Sequence, residues 1–306
     1  MQKFNKDVVV GHLYMAMACM MWGLMAPLGK DAMTHGISGL EMVAFRVSGG
    51  ALCFWITSLL FRHTEKKRVE RKDLVKLFFA ALFAIVFNQC NYTIGLSITS
   101  PLNASIMTTT MPIVTMVLAA LFLKEPVTWK KAVGVLLGAS GAAILILGSS
   151  QGVYGGGVLL GDILCICAQC SYAIYLTAFK TLIQKYSVVT CMKWMMLFAA
   201  IVIVPFALPS ILETEWNGIV AKTYWEAAFV VFGGTFVAYI FCTSAQKVLR
   251  PTVVAMYNYV QPMVSCIVSV LIGIGVFGIG QGVAVVLVFT GVYLVSQSKS
   301  RKELKK

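Results

Sequence analysis

The sequence predicts an all-α membrane protein in which ten transmembrane helices form two inverted repeats of five helices each. Hydrophobic residues make up 59% of the chain and charged residues 12%, a balance typical of membrane-spanning proteins. Landmark residues recur at an offset of 150 positions, since Pro101 and Pro112 return as Pro251 and Pro262. Basic residues concentrate in alternate loops. Duplicated membrane bundles of this kind are typical of secondary transporters, whose halves surround a site near the bilayer midplane.

Ten apolar stretches are long enough to span a bilayer, whose hydrocarbon core of roughly 30 Å requires about 20 residues per helix. They lie near residues 12–30, 38–61, 74–96, 101–123, 129–148, 157–179, 187–208, 223–246, 251–273 and 279–297. We therefore predict a first repeat over residues 1–150 and a second over residues 151–306. The first stretch is too long and uninterrupted for a cleaved signal peptide, so we expect it to remain in the protein.

The distribution of basic residues predicts the orientation. Positively charged loops stay in the cytoplasm, and the basic loop from Arg62 to Lys76 and the tail from Lys299 fall on the same side. The opposite side carries only Lys30 and Lys222 among its helix flanks and loops. We therefore expect an inner-membrane protein with both termini cytoplasmic. Because five crossings are an odd number, the second repeat must run opposite to the first.

The net charge of +13 does not indicate a nucleic-acid partner. Most of the excess is the positive-inside bias, which membrane insertion sets and which needs no anionic partner. The basic loop is also interrupted by Glu65, Glu70 and Asp73. The expected partners are the lipid bilayer and a small-molecule substrate.

No motif predicts a metal site, a cofactor or catalysis. The nine cysteines lie within apolar segments, where a thiol behaves as a small hydrophobe. Cys165, Cys167 and Cys170 would not converge as ligands on a helix, and no histidine has a second histidine or a carboxylate at metal-binding spacing. We find no Walker motif and no arrangement of carboxylates, histidines or Ser/His pairs that an intramembrane enzyme would need. We therefore expect no enzymatic activity, and no direct use of ATP.

Two segments carry a family resemblance. The stretch LSITSPLNASIMTTTMPIVTMVLAALFLKEPVT from Leu96, followed by GVLLGASGAAIL from Gly134, resembles the signature of the EamA family in the drug/metabolite transporter superfamily. So does the second copy, which reads RPTVVAMYNYVQPMVS from Arg250. The resemblance implies a ten-helix transporter that exports amino acids or related amphipathic metabolites. The sequence departs from the family at one point, because the glutamate present as Glu125 has Gly275 as its counterpart.

The prolines have two structural roles. Pro101 and Pro251 fall in the first turns of their helices, where a missing N–H costs nothing. Pro112 and Pro262 fall about halfway along, where each frees a carbonyl inside the membrane. The resulting kinks either shape the bundle or act as hinges at a central cavity. Polar neighbours favour hinges, and those before Pro262 are candidate substrate-binding residues: Tyr257, Asn258 and Gln261.

Helical spacing predicts further cavity-lining residues. In the third helix Asn88, Asn91 and Tyr92 stand at i, i+3 and i+4 and so share a face. Trp22 and Tyr172 become partners under the 150-residue offset. Aromatic pairs of this kind either pack or line the cavity, and both interpretations stay open.

Arg46 is the most unusual charge, since it lies about two turns inside the second helix. A charge inside the membrane is a functional hypothesis by default. Arg46 either binds the anionic group of a substrate or pairs with Glu41. We expect Arg46, Asn91, Tyr172 and Asn258 to converge on one water-accessible chamber near the midplane.

The sequence therefore predicts a secondary transporter for small organic metabolites, such as amino acids, that works by alternating access. A proton or counter-substrate gradient would drive it, with Asp162 and Glu41 the carboxylates to test. The alternative within transport is an exchanger of phosphorylated or nucleotide-linked sugars, which would need several cavity cations, whereas this chain offers chiefly Arg46. A non-transporting membrane sensor is the alternative from a different class, although a sensor normally carries a soluble signalling domain.

Overall fold

The computed structural model describes residues 6–61, 68–98, 107–149, 159–271 and 279–298, and the regular structure of these ranges is helical throughout. We label ten segments α1 to α10 in chain order. Their bounds are Lys6–Thr34, Gly39–Leu60, Arg71–Ala81 continued by Leu82–Val86 and Phe87–Ile98, Met111–Phe122, Trp129–Ser149, Leu159–Ala178, Val188–Glu213, Ala221–Val231 continued by Phe232–Val237 and Ala238–Val248, Pro251–Met256 continued by Tyr257–Tyr259 and Val260–Leu271, and Ile279–Ser296. Within the described residues, six of these segments are long and apolar enough to cross a membrane by themselves. The predicted all-α membrane fold is confirmed.

Some helices are longer than the sequence predicts. The segment α1 begins at Lys6 and ends at Thr34, and α7 continues beyond residue 208 to Glu213. The helix passes through Pro205 and Pro209. Each proline removes only one intrahelical hydrogen bond, so a helix that is otherwise well packed can continue past it.

The packing of the helices has pseudo-two-fold symmetry. The segment α2 packs along α7, and α5 packs along α10. The contact of α3 with α6 is repeated by α8 with α1, and that of α4 with α6 is repeated by α9 with α1. Exchanging the two repeats by the offset of 150 residues therefore leaves the first two helix pairs unchanged. It converts each of the other contacts into its counterpart in the second half. Residues 150–158, where one repeat would give way to the next, lie outside the described residues, so the boundary at residue 150 stays a prediction.

Two hydrogen bonds join residues at equivalent positions of the two halves. Gln89 Nε2 donates to Tyr239 OH at 3.2 Å, and Tyr259 OH donates to the carbonyl of Thr109 at 3.1 Å. Residues that are equivalent and also in contact must lie beside the pseudo-two-fold axis. Gln89 with Tyr239 and Tyr259 with Thr109 therefore both lie beside this axis.

Both halves carry a π-helical turn at equivalent positions, Leu82–Val86 in α3 and Phe232–Val237 in α8. A π-helical turn interrupts the regular backbone ladder and is frequent at functional sites. Side chains of neighbouring helices satisfy the carbonyls in these turns. Ser171 Oγ donates to the Phe83 carbonyl at 2.7 Å, and Trp22 Nε1 donates to the Gly234 carbonyl at 3.0 Å.

The second prolines of each repeat follow breaks in their helices. Residues 109–110 form a turn, and Pro112 lies in the first turn of the helix that begins at Met111. In α9 a 3₁₀ turn, Tyr257–Tyr259, precedes Pro262. Pro112 therefore restarts a helix where the sequence predicts a kink, because a proline in a first turn leaves no donor unpaired. Pro251 begins α9 as predicted, whereas Pro101 and Gly275 lie outside the described residues.

Charged residues connect helices at both ends of the bundle. We call the end that holds Lys6 and Ser298 the terminal end. There the contacts are from Lys185 Nζ to Glu70 Oε1 (2.6 Å) and Asp73 Oδ2 (2.5 Å), and from Tyr186 OH to Asp73 Oδ2 (2.7 Å). At the opposite end Lys222 Nζ contacts Asp31 Oδ2 at 2.8 Å. Hydrogen bonds from Lys185 and Lys72 hold the pKa of Glu70 below its usual value.

Candidate functional site

One face of α8 receives polar side chains from three other helices. The hydrogen bonds run from Trp22 Nε1 to Gly234 O (3.0 Å), from Arg46 Nε to Thr235 Oγ1 (3.0 Å) and from Gln89 Nε2 to Tyr239 OH (3.2 Å). Thr235 and Tyr239 stand at i and i+4 and so share one face of the helix. We call these six residues the α8 site. Because it includes the pair Gln89 and Tyr239, the α8 site lies beside the pseudo-two-fold axis.

The local backbone of α8 explains why Gly234 can serve this site. Gly234 lies within the π-helical turn, and its carbonyl is free to accept from Trp22. A Cβ at this position would overlap the side chain of Met25 in α1. Thr235 Oγ1 donates to the Val230 carbonyl at 3.0 Å, so its lone pairs remain available to Arg46. The glycine admits α1, and the threonine orients the guanidinium.

Arg46 has no carboxylate partner among the described residues. Glu41, the partner considered from the sequence, caps α2 instead, and its carboxylate accepts from Ser38 N (2.7 Å), Ser210 Oγ (2.6 Å) and Thr214 Oγ1 (2.6 Å). A guanidinium has five N–H donors, of which one is used in the contact with Thr235. A cation inside a membrane bundle is costly unless it is paired. An anionic ligand would therefore be stabilised beside Arg46.

An aromatic wall adjoins this cation. The ring of Trp22 meets the ring of Tyr239 edge to face, with centroids 5.9 Å apart. Arg46 contacts Thr235, which lies one helical turn before Tyr239 on the same face of α8. A ligand with an anionic group and an apolar body would pair with Arg46 through the first and pack against the rings of Trp22 and Tyr239 through the second.

A polar stripe extends from the α8 site along α8 toward the terminal end. Its members stand at i, i+4, i+7 and i+11, which keeps them on one face: they are Thr235, Tyr239, Cys242 and Gln246. Tyr172, the predicted partner of Trp22, meets this stripe at Cys242 Sγ (3.5 Å) and Gln246 Nε2 (3.4 Å). Arg46 and Tyr172 therefore contact the same face of α8 at different depths.

A cavity lies where this stripe reaches the terminal end. It is lined by Tyr175, Leu176, Lys180, Ile183, Gln246, Leu249, Pro251 and Val254. Tyr175 OH donates to Gln246 Oε1 at 2.9 Å. This bond lies between the cavity and the rest of the polar stripe on α8. Burial lowers the pKa of Lys180, and attraction to Glu125 partly opposes this shift.

The remaining predicted residues of α9 form a separate group around its 3₁₀ turn. Tyr257 OH contacts His12 Nδ1 at 2.9 Å, Asn258 Nδ2 contacts Met111 Sδ, and Gln261 Nε2 donates to Asn258 Oδ1 at 3.0 Å. These contacts tie the break in α9 to α1 and to α4. Pro112 is buried and Pro262 is partly buried beside the same group.

The cavity-lining residues predicted in α3 are Asn88, Asn91 and Tyr92, and the first of these faces α6. Asn88 Nδ2 donates to the Ala168 carbonyl of α6 at 2.9 Å. Asn91 and Tyr92 are partly buried. The structure therefore brings Trp22 and Arg46 together in the α8 site, whereas Asn88 contacts α6.

Sequence reasoning did not select Thr235, Tyr239 or Gln89 as site residues. A usable signal was present, because the polar stripe on α8 follows the same spacing rule that was applied to the third helix. The π-helical turn, which brings Gly234 and Thr235 to their partners, had no signal in the sequence pattern.

Glu125 has a structural partner. Lys131 Nζ contacts Glu125 Oε2 at 2.8 Å, and Thr252 Oγ1 donates to the same oxygen at 3.3 Å. Lys131 is fully buried. This carboxylate therefore joins the loop after α4 to the start of α9. Among the described residues, no three histidine, cysteine, aspartate or glutamate side chains come together as a metal site.

The chain is similar to known membrane proteins. The model of the EamA-like transporter family matches residues 9–147 and 159–297. An uncharacterized transporter of Archaeoglobus fulgidus is 27% identical over 65% of this chain and 68% of its own length. A WAT1-related protein of Arabidopsis thaliana is 24% identical over 94% of this chain and 78% of its own length. The uncharacterized transporter YyaM of Bacillus subtilis is 23% identical over 81% of both chains.

A solved structure described only as a crystal structure of a protein has a similar fold. It superposes with a TM-score of 0.75 over 96% of this chain and 97% of its own length, at 15% sequence identity. At this identity the likeness establishes the fold alone.

Proposed function

We propose that this chain, which belongs to the EamA-like transporter family, is a secondary transporter that exports small carboxylate-bearing metabolites, such as amino acids, by alternating access. One observation carries the proposal. The guanidinium of Arg46 lies on the face of α8 that adjoins the pseudo-two-fold axis, fixed by Thr235 at 3.0 Å and without a carboxylate partner among the described residues. Arginine is the side chain best suited to a planar carboxylate, which it binds through two parallel hydrogen bonds.

The symmetry of the bundle supports alternating access. The α8 site adjoins the pseudo-two-fold axis, so that either half can move against the other around a fixed site. The broken helices α4 and α9 meet beside the same axis. In this proposal Pro112 and Pro262 are hinges, because their helices are interrupted immediately before them. The other members of the binding surface are Trp22, Asn88, Asn91, Tyr92, Tyr172, Tyr257, Asn258 and Gln261.

The proposal places the terminal end in the cytoplasm of an inner-membrane protein, which follows from the positive-inside rule. Reporter fusions test it directly. A reporter after Lys72 and one after Lys306 should both indicate the cytoplasm, and one near Glu215 the exterior. A periplasmic signal at either of the first two positions would overturn the orientation.

The driving force in this proposal is a proton or counter-substrate gradient, as no nucleotide-binding motif occurs in the sequence. Glu41 is an unsuitable proton carrier, because its carboxylate accepts three hydrogen bonds and its backbone N–H donates to Ser38 Oγ, which together hold it as a helix cap. Asp162 remains the carboxylate to test. The alternative substrate class, phosphorylated or nucleotide-linked sugars, would need more cations than the single arginine of the α8 site.

A metabolite screen with the purified protein in liposomes tests the proposed function. We expect uptake or exchange of a carboxylate-bearing metabolite by the wild type and loss of this transport in Arg46→Ala. Met196→Leu, a volume-conserving change at the equivalent position of the second repeat, is the matched control and should transport normally. Unchanged carboxylate transport in a well-folded Arg46→Ala variant would contradict the proposal.

A further inference from the structure

Ion pairs join the two halves of the molecule at both ends of the bundle. At the terminal end Lys185, in the link between α6 and α7, contacts Glu70 and Asp73 at the start of α3. At the opposite end Lys222, at the start of α8, contacts Asp31 in the last turn of α1. Each pair connects one half to the other, so each opposes a movement that would separate the halves at its own end.

The two pairs occupy related positions of the repeats. The offset of 150 residues maps Lys185 onto His35, whose Nδ1 lies 3.6 Å from Asp31 Oδ1. It also maps Lys222 onto Lys72, in the first turn of α3. Both pairs therefore join the chain around the end of the first helix of one half to the start of the third helix of the other. In alternating access the two ends open in turn, so a contact at this position can hold its own end closed.

The pair at the terminal end is the better protected of the two. Asp73 is 2% exposed and accepts from Lys185 Nζ at 2.5 Å and from Tyr186 OH at 2.7 Å. The side chain of Lys222 is 70% exposed and that of Asp31 is 36% exposed. Exposed ion pairs contribute little, because water and salt screen them. Separating a buried carboxylate from its donors costs more, so the terminal end is the harder end to open.

The helix α8 is held near both of its ends. Gln184 Nε2 donates to the carbonyl of Lys247 at 3.0 Å, and Lys247 Nζ donates to the carbonyl of Tyr186, the residue after Lys185. The start of the same helix carries Lys222 and its contact with α1. The α8 site lies between these two points. A tilt of α8 would therefore move the site and the charged contacts at both ends together.

We infer that the contacts of Lys185 with Glu70 and Asp73, which we call the terminal gate, keep the terminal end closed, so that the transporter without substrate rests open toward the opposite end. The pair of Lys222 and Asp31 is the weaker gate and opens first. The inference rests on the alternating access of the proposed function and not on its substrate. It adds the contacts that determine which side the empty transporter faces.

Hydrogen–deuterium exchange of the purified, full-length protein tests the inference without any ligand. Lys185→Met removes the cation of the terminal gate, so backbone exchange at the terminal end, in residues 70–77 and 181–187, should rise several-fold. Opening of one end requires closure of the other in alternating access. Exchange at the opposite end, in residues 28–35 and 219–226, should therefore fall in the same variant.

Further variants assign the effect to the gate. Lys185→Arg keeps the charge and should exchange as the wild type does at both ends. Lys130→Met removes an exposed lysine of the terminal end and is the matched control, which should change neither end. Lys222→Met should raise exchange at the opposite end and leave the terminal end unchanged. If Lys185→Met fails to fold, Glu70→Gln weakens the same gate and should give the same two changes at a smaller size.

Two results would overturn the inference. One is wild-type exchange at both ends in a folded Lys185→Met variant. The other is a rise at the terminal end without a fall at the opposite end, which would mean that Lys185 only stabilises its own surroundings. Failure of the proposed function has a different signature, which is unchanged carboxylate transport in Arg46→Ala, and the exchange response to Lys185→Met does not depend on that result.

Discussion

The α8 site and its symmetry-equivalent region on α3 share a scaffold but differ in chemistry. Each has a π-helical turn whose carbonyl accepts from a neighbouring helix, and they share the axis pair Gln89 and Tyr239. The other positions diverge. Trp22, Arg46 and Thr235 in the α8 site correspond to Tyr172, Met196 and Ile85 on the α3 side.

On the α3 side, the positions equivalent to Arg46 and Thr235 hold apolar residues with apolar contacts. Met196 and Ile85 are fully buried, and Met196 packs against Gly50. Ser171 Oγ supplies the donor that the α3 π-helical turn needs. The comparison shows that duplication repeated the frame of the site, whereas the arginine and the threonine that accepts from it occur in one copy only. Recognition in this account is therefore one-sided.

The largest effect is expected where a charge is moved to the apolar side. Met196→Arg places a cation at a fully buried position, which should lower stability by about 3 kcal/mol or more. The midpoint of thermal unfolding in detergent measures this change. Met196→Leu keeps the volume and should change the midpoint little. If Met196→Arg were as stable as the wild type, the two sides would be chemically interchangeable.

A smaller effect is expected from the residue that orients Arg46. Thr235→Val removes the hydroxyl that accepts from Arg46 Nε and should weaken carboxylate binding by about tenfold or more, the equivalent of one lost hydrogen bond to a charged group. Titration calorimetry measures the affinity. Thr177→Val is the control, because that buried hydroxyl bonds its own helix. Equal losses in both variants would show a general packing effect.

Trp22→Phe sharpens the comparison further. It removes the donor to the Gly234 carbonyl but keeps an aromatic ring against Tyr239, so the affinity should fall by about 2- to 10-fold. Ser171→Ala removes the corresponding donor on the α3 side. That variant should lower thermal stability and leave affinity unchanged. A loss of affinity in Ser171→Ala as large as in Trp22→Phe would mean that both sides take part in binding.

The smallest effect on affinity is expected from the hinges. The double variant Pro112→Ala with Pro262→Ala should insert and bind as the wild type does, because neither proline contributes to the α8 site. Transport in liposomes should slow several-fold, since the interrupted helices would become continuous. Wild-type flux in a well-folded double variant would reduce both prolines to a role in bundle shape.

Composition and periodicity predicted much of this molecule. The 150-residue offset and the apolar stretches predicted the helical bundle, and the depth of Arg46 in its helix made it a candidate binding residue, which stays a prediction. The residues that receive Arg46 and Trp22 were not predicted. Thr235 and Gly234 lie in a π-helical turn, and such a turn depends on tertiary contacts with α1 and α2 that no local pattern encodes. Glu41 was a candidate ion-pair partner from its spacing, yet its position at a helix start makes it a cap.

The most direct test of one-sided recognition is equilibrium binding of a carboxylate ligand to Arg46→Met, which copies the equivalent residue of the other repeat into the α8 site. We expect affinity to fall about 30-fold or more, while the thermal midpoint stays constant or rises because an unpaired charge is removed. Met196→Leu, which keeps the volume, should bind as the wild type does. Wild-type affinity in Arg46→Met, or losses of similar size in both variants, would contradict the account.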